Sequence, residues 1–372
     1  MKIGIPKEIK VQESRVGMTP AGVAELVHHG HQVMVQTNAG LGIGADDDSY
    51  RQAGALIGED LAEVYGYGSL IVKVKEPLPE ECALLRADQT LFAYLHLAAE
   101  PDLARSLAEI GCTAIAYETV TAVHGGLPLL APMSLVAGRM SIQAGAHCLE
   151  RESGGRGVLL SGVPGVEPAQ VVILGGGVVG SNAARVAHGM GADVVVFDRD
   201  IERLRLLDER YGGQVKTRYA TRAGIEAAVL EADLVIGGVL IPGDAAPKLV
   251  SDALVRAMRR GSVLVDVAID QGGCFETSRP TNHAEPTYIE HGVVHYCVTN
   301  MPGAVARTST HALTNATLPF VLDLAEKEPR YALAEDPHLL AGLNVLGGQI
   351  THKGVAHGLH LPFIPPEQAL GL

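Results

Sequence analysis

Three things are scarce in this 372-residue chain, and each scarcity closes off a class of function. Cysteine is the first: Cys82, Cys112, Cys148, Cys274 and Cys297 are odd in number, scattered, and never in C-x-x-C spacing. Such a set reads as reduced, cytoplasmic thiols, neither a disulfide framework nor a zinc site, and no metal is expected. Cationic charge is the second. Lysine and arginine number 29 against 42 acidic residues, a formal charge of −13 with a pI near 5.6, which argues against a nucleic-acid partner or an anionic membrane surface, both of which need clustered cations. The third is a long apolar run. No segment offers an uncharged stretch of bilayer-spanning length, and the start, Met1-Lys-Ile-Gly-Ile-Pro-Lys-Glu, lacks a signal-length apolar core. The mean hydropathy of +0.19 reflects alanine, valine and glycine. Internal repeats and low-complexity linkers are absent as well.

What the chain does have is Val171-Val-Ile-Leu-Gly175-Gly-Gly177-Val-Val-Gly180, followed by Val194-Val-Val-Phe-Asp198. An apolar strand, a glycine turn, a helix, a second strand and a terminal acid form the order of a dinucleotide-binding unit. Gly175 permits the tight turn, Gly177 lets backbone approach a pyrophosphate, and Gly180 lets the helix lie close to its strand. Unpaired N–H groups and the positive end of the helix dipole then face the phosphates. Asp198 suits the hydroxyls of an adenine ribose and repels a 2′-phosphate, favouring NAD over NADP, although Arg199 beside it weakens that preference.

Length favours two domains. In the first third, Lys2–Ile5, His31–Gln36, Ser69–Val74, Thr90–Leu95 and Cys112–Tyr117 read as strands, and Pro20–His29 and Asp102–Ile110 as helices. This alternation predicts a parallel, helix-covered sheet. Thr19-Pro20 opens the first helix as cap and N1 proline, while Gly30 and Gly111 close the two helices. Ser134 is expected to cap a helix over Leu135–Glu150 that bridges the domains. Ala232–Val239, Ser262–Val267 and Gly292–Val298 read as further strands. The tail, Thr308–Glu326 and Pro337–Gly347, reads as helical with no strands of its own. The expected fold is α/β, with two Rossmann-like, doubly wound parallel-sheet domains and the active site in the cleft between them. A discontinuous substrate domain, 1–130 plus 306–372, flanks an NAD-binding domain, 131–305, with the bridging helix at about 134–150.

Ligands of open parallel sheets bind outside the carboxyl ends of the strands. Lys75 follows Leu70-Ile-Val-Lys-Val, His96 follows Leu91-Phe-Ala-Tyr-Leu, and Asp270 follows Val263-Leu-Val-Asp-Val-Ala-Ile. Each has a plain structural alternative: a packed histidine, a solvated lysine, a turn-capping aspartate. Taken together at one sheet end, they suit reduction of a carbonyl or imine and its reverse. Histidine titrates nearest neutrality, which makes His96 the expected general acid/base, and Asp270 is suited to orienting water. Arg15 offers a planar fork to a carboxylate, and Lys75 adds a point charge. The His28-His29-Gly-His31 cluster reads as a helix terminus, and Asp46-Asp-Asp48 is too short for a calcium loop.

The chain also resembles the alanine dehydrogenases along its whole length. The matching stretches are Ile5-Pro-Lys-Glu with Glu13-Ser-Arg-Val, Lys73-Val-Lys-Glu-Pro77, Tyr94-Leu-His-Leu, Ala131-Pro-Met-Ser134, Gly175 to Gly180, Asp266-Val-Ala-Ile-Asp-Gln-Gly-Gly273 and Val298-Thr-Asn-Met-Pro-Gly-Ala304. The resemblance implies reversible, NAD-dependent oxidative deamination of L-alanine to pyruvate and ammonia by a homohexamer. It implies that Arg15 and Lys75 hold the carboxylate, His96 exchanges the proton, and Asp270 assists water attack on the imine. Cofactor contacts are expected from Ser134, Gly175, Gly177, Val178, Val179, Gly180, Asp198, Arg203, Val239, Leu240, Val267, Ile269, Asp270, Asn300 and Met301. One departure is Tyr219-Ala220, where the family commonly places a cofactor-contacting serine; an unreplaced hydroxyl contact is worth about 1 kcal/mol. The competing readings are the soluble hydride-carrying subunit of a transhydrogenase, a saccharopine-type dehydrogenase, and a non-catalytic NAD(H) sensor. The joint presence of Arg15, Lys75, His96 and Asp270 disfavours the first of these.

Overall fold

The computed structural model describes residues 1–239 and 246–372 and divides them into two compact units, Met1–Met133 with Val305–Leu372, and Ser134–Ala304. In chain order the strands are β1 (Lys2–Ile5), β2 (Gln32–Gln36), β3 (Leu56–Gly58), β4 (Leu70–Val72), β5 (Thr90–Ala93), β6 (Thr113–Ala116), β7 (Gln170–Leu174), β8 (Asp193–Asp198), β9 (Lys216–Tyr219), β10 (Leu234–Gly237), β11 (Val263–Asp266), β12 (Thr287–Glu290), β13 (Val293–Tyr296), β14 (Leu343–Leu346) and β15 (Gln349–Ile350).

The first unit holds one eight-stranded sheet in the order β15-β14-β6-β5-β4-β1-β2-β3. Strands β1 to β6 are mutually parallel. From β1 the chain winds outward to β2 and β3, then returns and winds the other way through β4, β5 and β6. The order therefore reverses between β1 and β4, and the crevice at their carboxyl ends is where a doubly wound sheet receives ligands. β4 and β5 are buried at every residue, as parallel strands covered on both faces must be.

Sequence periodicity misreads the tail. Only Pro337–Leu340 of the 337–347 segment is helical; Leu343–Leu346 is a strand, antiparallel to β6, and β15 pairs antiparallel to it in turn. The physical reason is lateral: Leu343 and Val345 are buried once β6 offers its edge, and no local pattern reports the presence of that edge. The preceding helix, Ala306–Lys327, forms as expected.

The second unit's sheet runs β12-β13-β11-β10-β7-β8-β9. It is parallel except for β12, which pairs antiparallel to β13. Here the reversal lies between β7 and β10. Alternation along β7 sends Val171 and Ile173 into one buried cluster and Val172 and Leu174 into another, so both faces of the sheet are covered. The linking helix spans Ala131–Cys148. It starts at Ala131-Pro132, ahead of Ser134, so Ser134 lies within the first helical turn and is not its cap; proline at the second position supplies the helix start that the hydroxyl was expected to supply.

Candidate active site

In the first unit the carboxyl ends of β1 and β4 are tied together by acids. Glu8, just past β1, accepts hydrogen bonds from the backbone N–H of Val74 at 2.7 Å and Lys75 at 3.4 Å. Its other oxygen meets the fully buried Lys73 ammonium at 3.2 Å, and Lys73 also donates to Glu81 at 2.5 Å. Burial pushes the Glu8 carboxyl up, against the pull of Lys73. For Lys73, burial acts downward but the two glutamates outweigh it and hold the ammonium charged. Lys75 itself pairs with Glu76 at 3.4 Å, and Glu76 also pairs with Lys10. Burial opposes ionisation of Glu76, yet Lys75 and Lys10 prevail and draw its carboxyl below the usual range.

Arg15 is buried. Its Nε and Nη2 donate to the two oxygens of Glu13 at 2.7 and 2.6 Å, and its Nη1 contacts Met133 Sδ at 3.1 Å. Burial alone would lower its pKa, but the Glu13 pairing raises it, so the guanidinium is a fixed cation. Such a planar fork, held on one edge by a carboxylate, keeps its direction without paying for reorganisation.

β4 and β5 are paired neighbours, and the ladder continues past both strands: Lys73 N donates to Phe92 O at 3.1 Å and Tyr94 N to Val74 O at 3.1 Å. Lys75 and His96 thus leave adjacent strand ends side by side. The structure gives His96 a left-handed backbone, φ +50°, and an exposed side chain stacked on Tyr94, with centroids 5.9 Å apart and planes 8° apart. Tyr94 is pinned by its hydroxyl, which donates to Leu129 O at 2.5 Å, and burial pushes its phenol well up.

The second unit builds the nucleotide turn. Gly175 has φ +98°. A Cβ on Gly180 would lie 1.7 Å from the Gly175 carbonyl oxygen, so only glycine fits there. A Cβ on Gly177 would meet nothing nearer than Arg203 Nη1 at 3.6 Å, leaving the turn open above its backbone. The helix then begins at Val178 and Val179. Asp198 ends β8 and braces the turn: its Oδ2 accepts from Gly176 N at 2.6 Å and its Oδ1 from Asp200 N at 2.8 Å, with Arg203 Nη1 3.7 Å from Oδ2. Ala220 is placed beside it, its N–H donating to Asp198 O at 2.9 Å. Val239, past β10, lies against Gly175, with its Cγ2 3.0 Å from where a Gly175 Cβ would stand. Leu240 lies outside the described residues. An open glycine turn, a helix N-terminus and a carboxylate at the end of the next strand fit an adenine dinucleotide.

Two further loops meet the carboxyl edge of that sheet. Val267 N donates to Gly237 O at 2.9 Å, and Ile269 and Asp270 sit in a 3₁₀ turn, Ile269–Gln271. This loop is knotted by the buried Asp266, whose oxygens accept from the N–H groups of Ala268 and Cys274 at 3.2 and 2.8 Å and from the Ser278 hydroxyl at 2.5 Å. Asn300 is left-handed at φ +57°, its carbonyl 3.1 Å from His283 Nε2, and Met301 follows it into a short turn. Ser134 lies one helical turn before Gly138, a residue whose Cβ would stand 2.2 Å from Val179 O; the i, i+4 spacing turns both toward the glycine turn.

Two family models cover the chain. The alanine dehydrogenase/PNT N-terminal domain matches residues 4–137 and the alanine dehydrogenase/PNT C-terminal domain matches residues 141–353. The chain belongs to the alanine dehydrogenase/PNT family. Among relatives of this family, it is 59% identical to the alanine dehydrogenase of Halomonas elongata and 54% identical to that of Mycolicibacterium smegmatis, each over 100% of both chains. A solved L-alanine dehydrogenase superposes with a TM-score of 0.94 at 54% identity, covering 97% of this chain and 99% of that one. A transhydrogenase from Sinorhizobium meliloti shares the fold, with a TM-score of 0.80 at 24% identity over 95% and 99%.

In this family member, sequence reading quoted Glu8, Glu13 and Lys73 only as parts of longer stretches and gave them no role, and it passed over Glu118 and His283. Glu8 and Glu13 carried a signal, because each follows β1 within the loop that bears Arg15. Glu118 and His283 carried none, since their partners are 22 and 17 residues away.

Proposed function

We propose that this chain catalyses the NAD-dependent, reversible oxidative deamination of L-alanine to pyruvate and ammonia. One observation carries the reading: a chain with a built dinucleotide turn in one unit also has, in the other, a buried Arg15 held by Glu13 in the loop after β1, and Lys75 and His96 past the carboxyl ends of the paired strands β4 and β5. A carrier of hydride between nucleotides has no use for that second set. Curated alanine dehydrogenases matching along the full chain support the choice of alanine.

In this reading Arg15 grips the substrate carboxylate through the part of its fork turned away from Glu13, and Lys75 adds a second positive charge. NAD, held at the glycine turn, would supply the acceptor for the hydride leaving the substrate Cα. His96 exchanges the proton as the C–O or C–N bond order changes. Asp270, raised on its 3₁₀ turn, orients the water that hydrolyses the imine. Gly175, Gly177, Val178, Val179 and Gly180 hold the pyrophosphate, Asp198 and Arg203 the adenine ribose, and Ser134, Val239, Val267, Ile269, Asn300 and Met301 complete the nucleotide contacts. The assembly is a homohexamer and its place the cytoplasm. Among the described residues, no helix is long and apolar enough to cross a membrane.

The test is NADH oxidation at 340 nm with pyruvate and ammonium, with pyruvate alone, and with other 2-oxo acids. Oxidation that requires ammonium supports the proposal. Oxidation without ammonium points to a hydroxy-acid enzyme, and silence with every oxo acid points to a nucleotide carrier or sensor. Light scattering after size exclusion reads the hexamer.

A further inference from the structure

His96 occupies the left-handed backbone region, φ +50°, which is uncommon for any residue with a side chain. What holds it is Glu118. This residue sits in the 3₁₀ turn Tyr117–Thr119 immediately after β6, the neighbour of the β5 strand from which His96 emerges. Glu118 Oε1 accepts the His96 N–H at 2.6 Å, and its two oxygens accept the Leu95 N–H at 3.2 and 3.3 Å. Those two donors are the first beyond the end of β5 that the sheet ladder does not satisfy. The turn is itself anchored, since Asn344 Nδ2 of β14 donates to Thr119 Oγ1 at 2.8 Å.

We propose that Glu118 is the positioning residue of the proton-exchanging histidine. It fixes the left-handed main chain at residue 96 while Tyr94 fixes the ring plane, so that an otherwise exposed imidazole presents one face and one direction to the substrate. Charge-assisted hydrogen bonds to two successive peptide N–H groups are strong and directional, and a catalytic group held before substrate arrives loses less on reaching reactive geometry. The 22-residue separation explains why no local motif advertises the pair. This inference rests on the proposed role of His96.

The experiment compares Glu118→Ala, Glu118→Gln, His96→Ala and the double variant in the full-length protein, following alanine-dependent NADH formation and NADH binding by fluorescence. Glu118→Ala is expected to lower kcat about tenfold or more with NADH affinity unchanged. Glu118→Gln, whose amide oxygen still accepts the His96 N–H, recovers most of that rate. Adding Glu118→Ala to His96→Ala costs nothing more, because its effect passes through the imidazole. A wild-type kcat in Glu118→Ala, or a double variant slower than His96→Ala by the full single-variant factor, overturns the proposal. If the alanine variant does not fold, Glu118→Asp replaces it: the shortened carboxylate keeps the charge without the reach, and a wild-type kcat again overturns the proposal. A wild-type chain inactive toward alanine, or one whose His96→Ala variant turns over normally, removes the reading beneath it and the proposal with it.

Discussion

Lys73 has no exposed surface, and its ammonium lies between Glu8 and Glu81. Removing the cation would strand two buried carboxylates, one of which braces the backbone of Val74 and Lys75. Lys73→Met is therefore expected to cost about 3–5 kcal/mol in urea unfolding; a loss below about 1 kcal/mol would show that the glutamates are neutral in the folded state. At Asp198 a single carboxylate braces Gly176 N and, in the proposed function, also receives the adenine ribose. Asp198→Ala should raise the Michaelis constant for NAD and lower stability by about 1–3 kcal/mol through the orphaned Gly176 donor. Asp198→Asn, which retains an acceptor, should restore stability more than NAD affinity, and equal recovery of both would separate the residue from the ribose.

The helix Val178–Gly189 shows what an element demands of its residues. Its two end glycines face opposite constraints: Gly180 packs against the Gly175 carbonyl, whereas a Cβ on Gly189 meets nothing within 4 Å. Gly180→Ala must push helix and strand apart, so the expected result is lost NADH binding by fluorescence titration and about 1–3 kcal/mol of destabilisation. Gly189→Ala should leave both unchanged. Parity between the two variants would mean that the turn tolerates widening. The strand pair β14 and β15 makes the complementary point. Leu343-Asn-Val-Leu carries too few residues to separate a strand from a helix by period, and its conformation follows from the β6 edge it completes. Most of the parallel strands were legible, because their uninterrupted apolar runs are bounded by glycine, proline and charge; the short β3 and the polar β9 were not.

At the scale of the whole molecule, three histidines whose pKa burial lowers, the buried His31 and His295 and the half-buried His352, make the fold acid-sensitive. His295, in the core of the second unit, donates from Nδ1 to Val293 O at 3.0 Å and meets the Thr277 hydroxyl at 2.7 Å through Nε2. Burial lowers its pKa below the ordinary 6.5, and burial likewise lowers that of His352 in the first unit. Between the folded and unfolded values the unfolded chain binds more protons, so stability rises with pH across that window, is fully present above about 6.5, and is lost on acidification. The Tm should fall from pH 7 to pH 5, less steeply in His295→Gln; identical slopes would place the acid sensitivity elsewhere. The amino-acid sequence by itself determined the α/β class, the glycine turn and its acid, and the strand ends where Arg15, Lys75 and His96 emerge, because strand periodicity and turn chemistry are local properties. Tertiary structure alone decided which acids brace those groups, where Glu118 meets His96, that the tail completes the first sheet, and that the linking helix starts before Ser134. Those outcomes depend on partners far away in sequence and on edges that exist only once the sheets have formed.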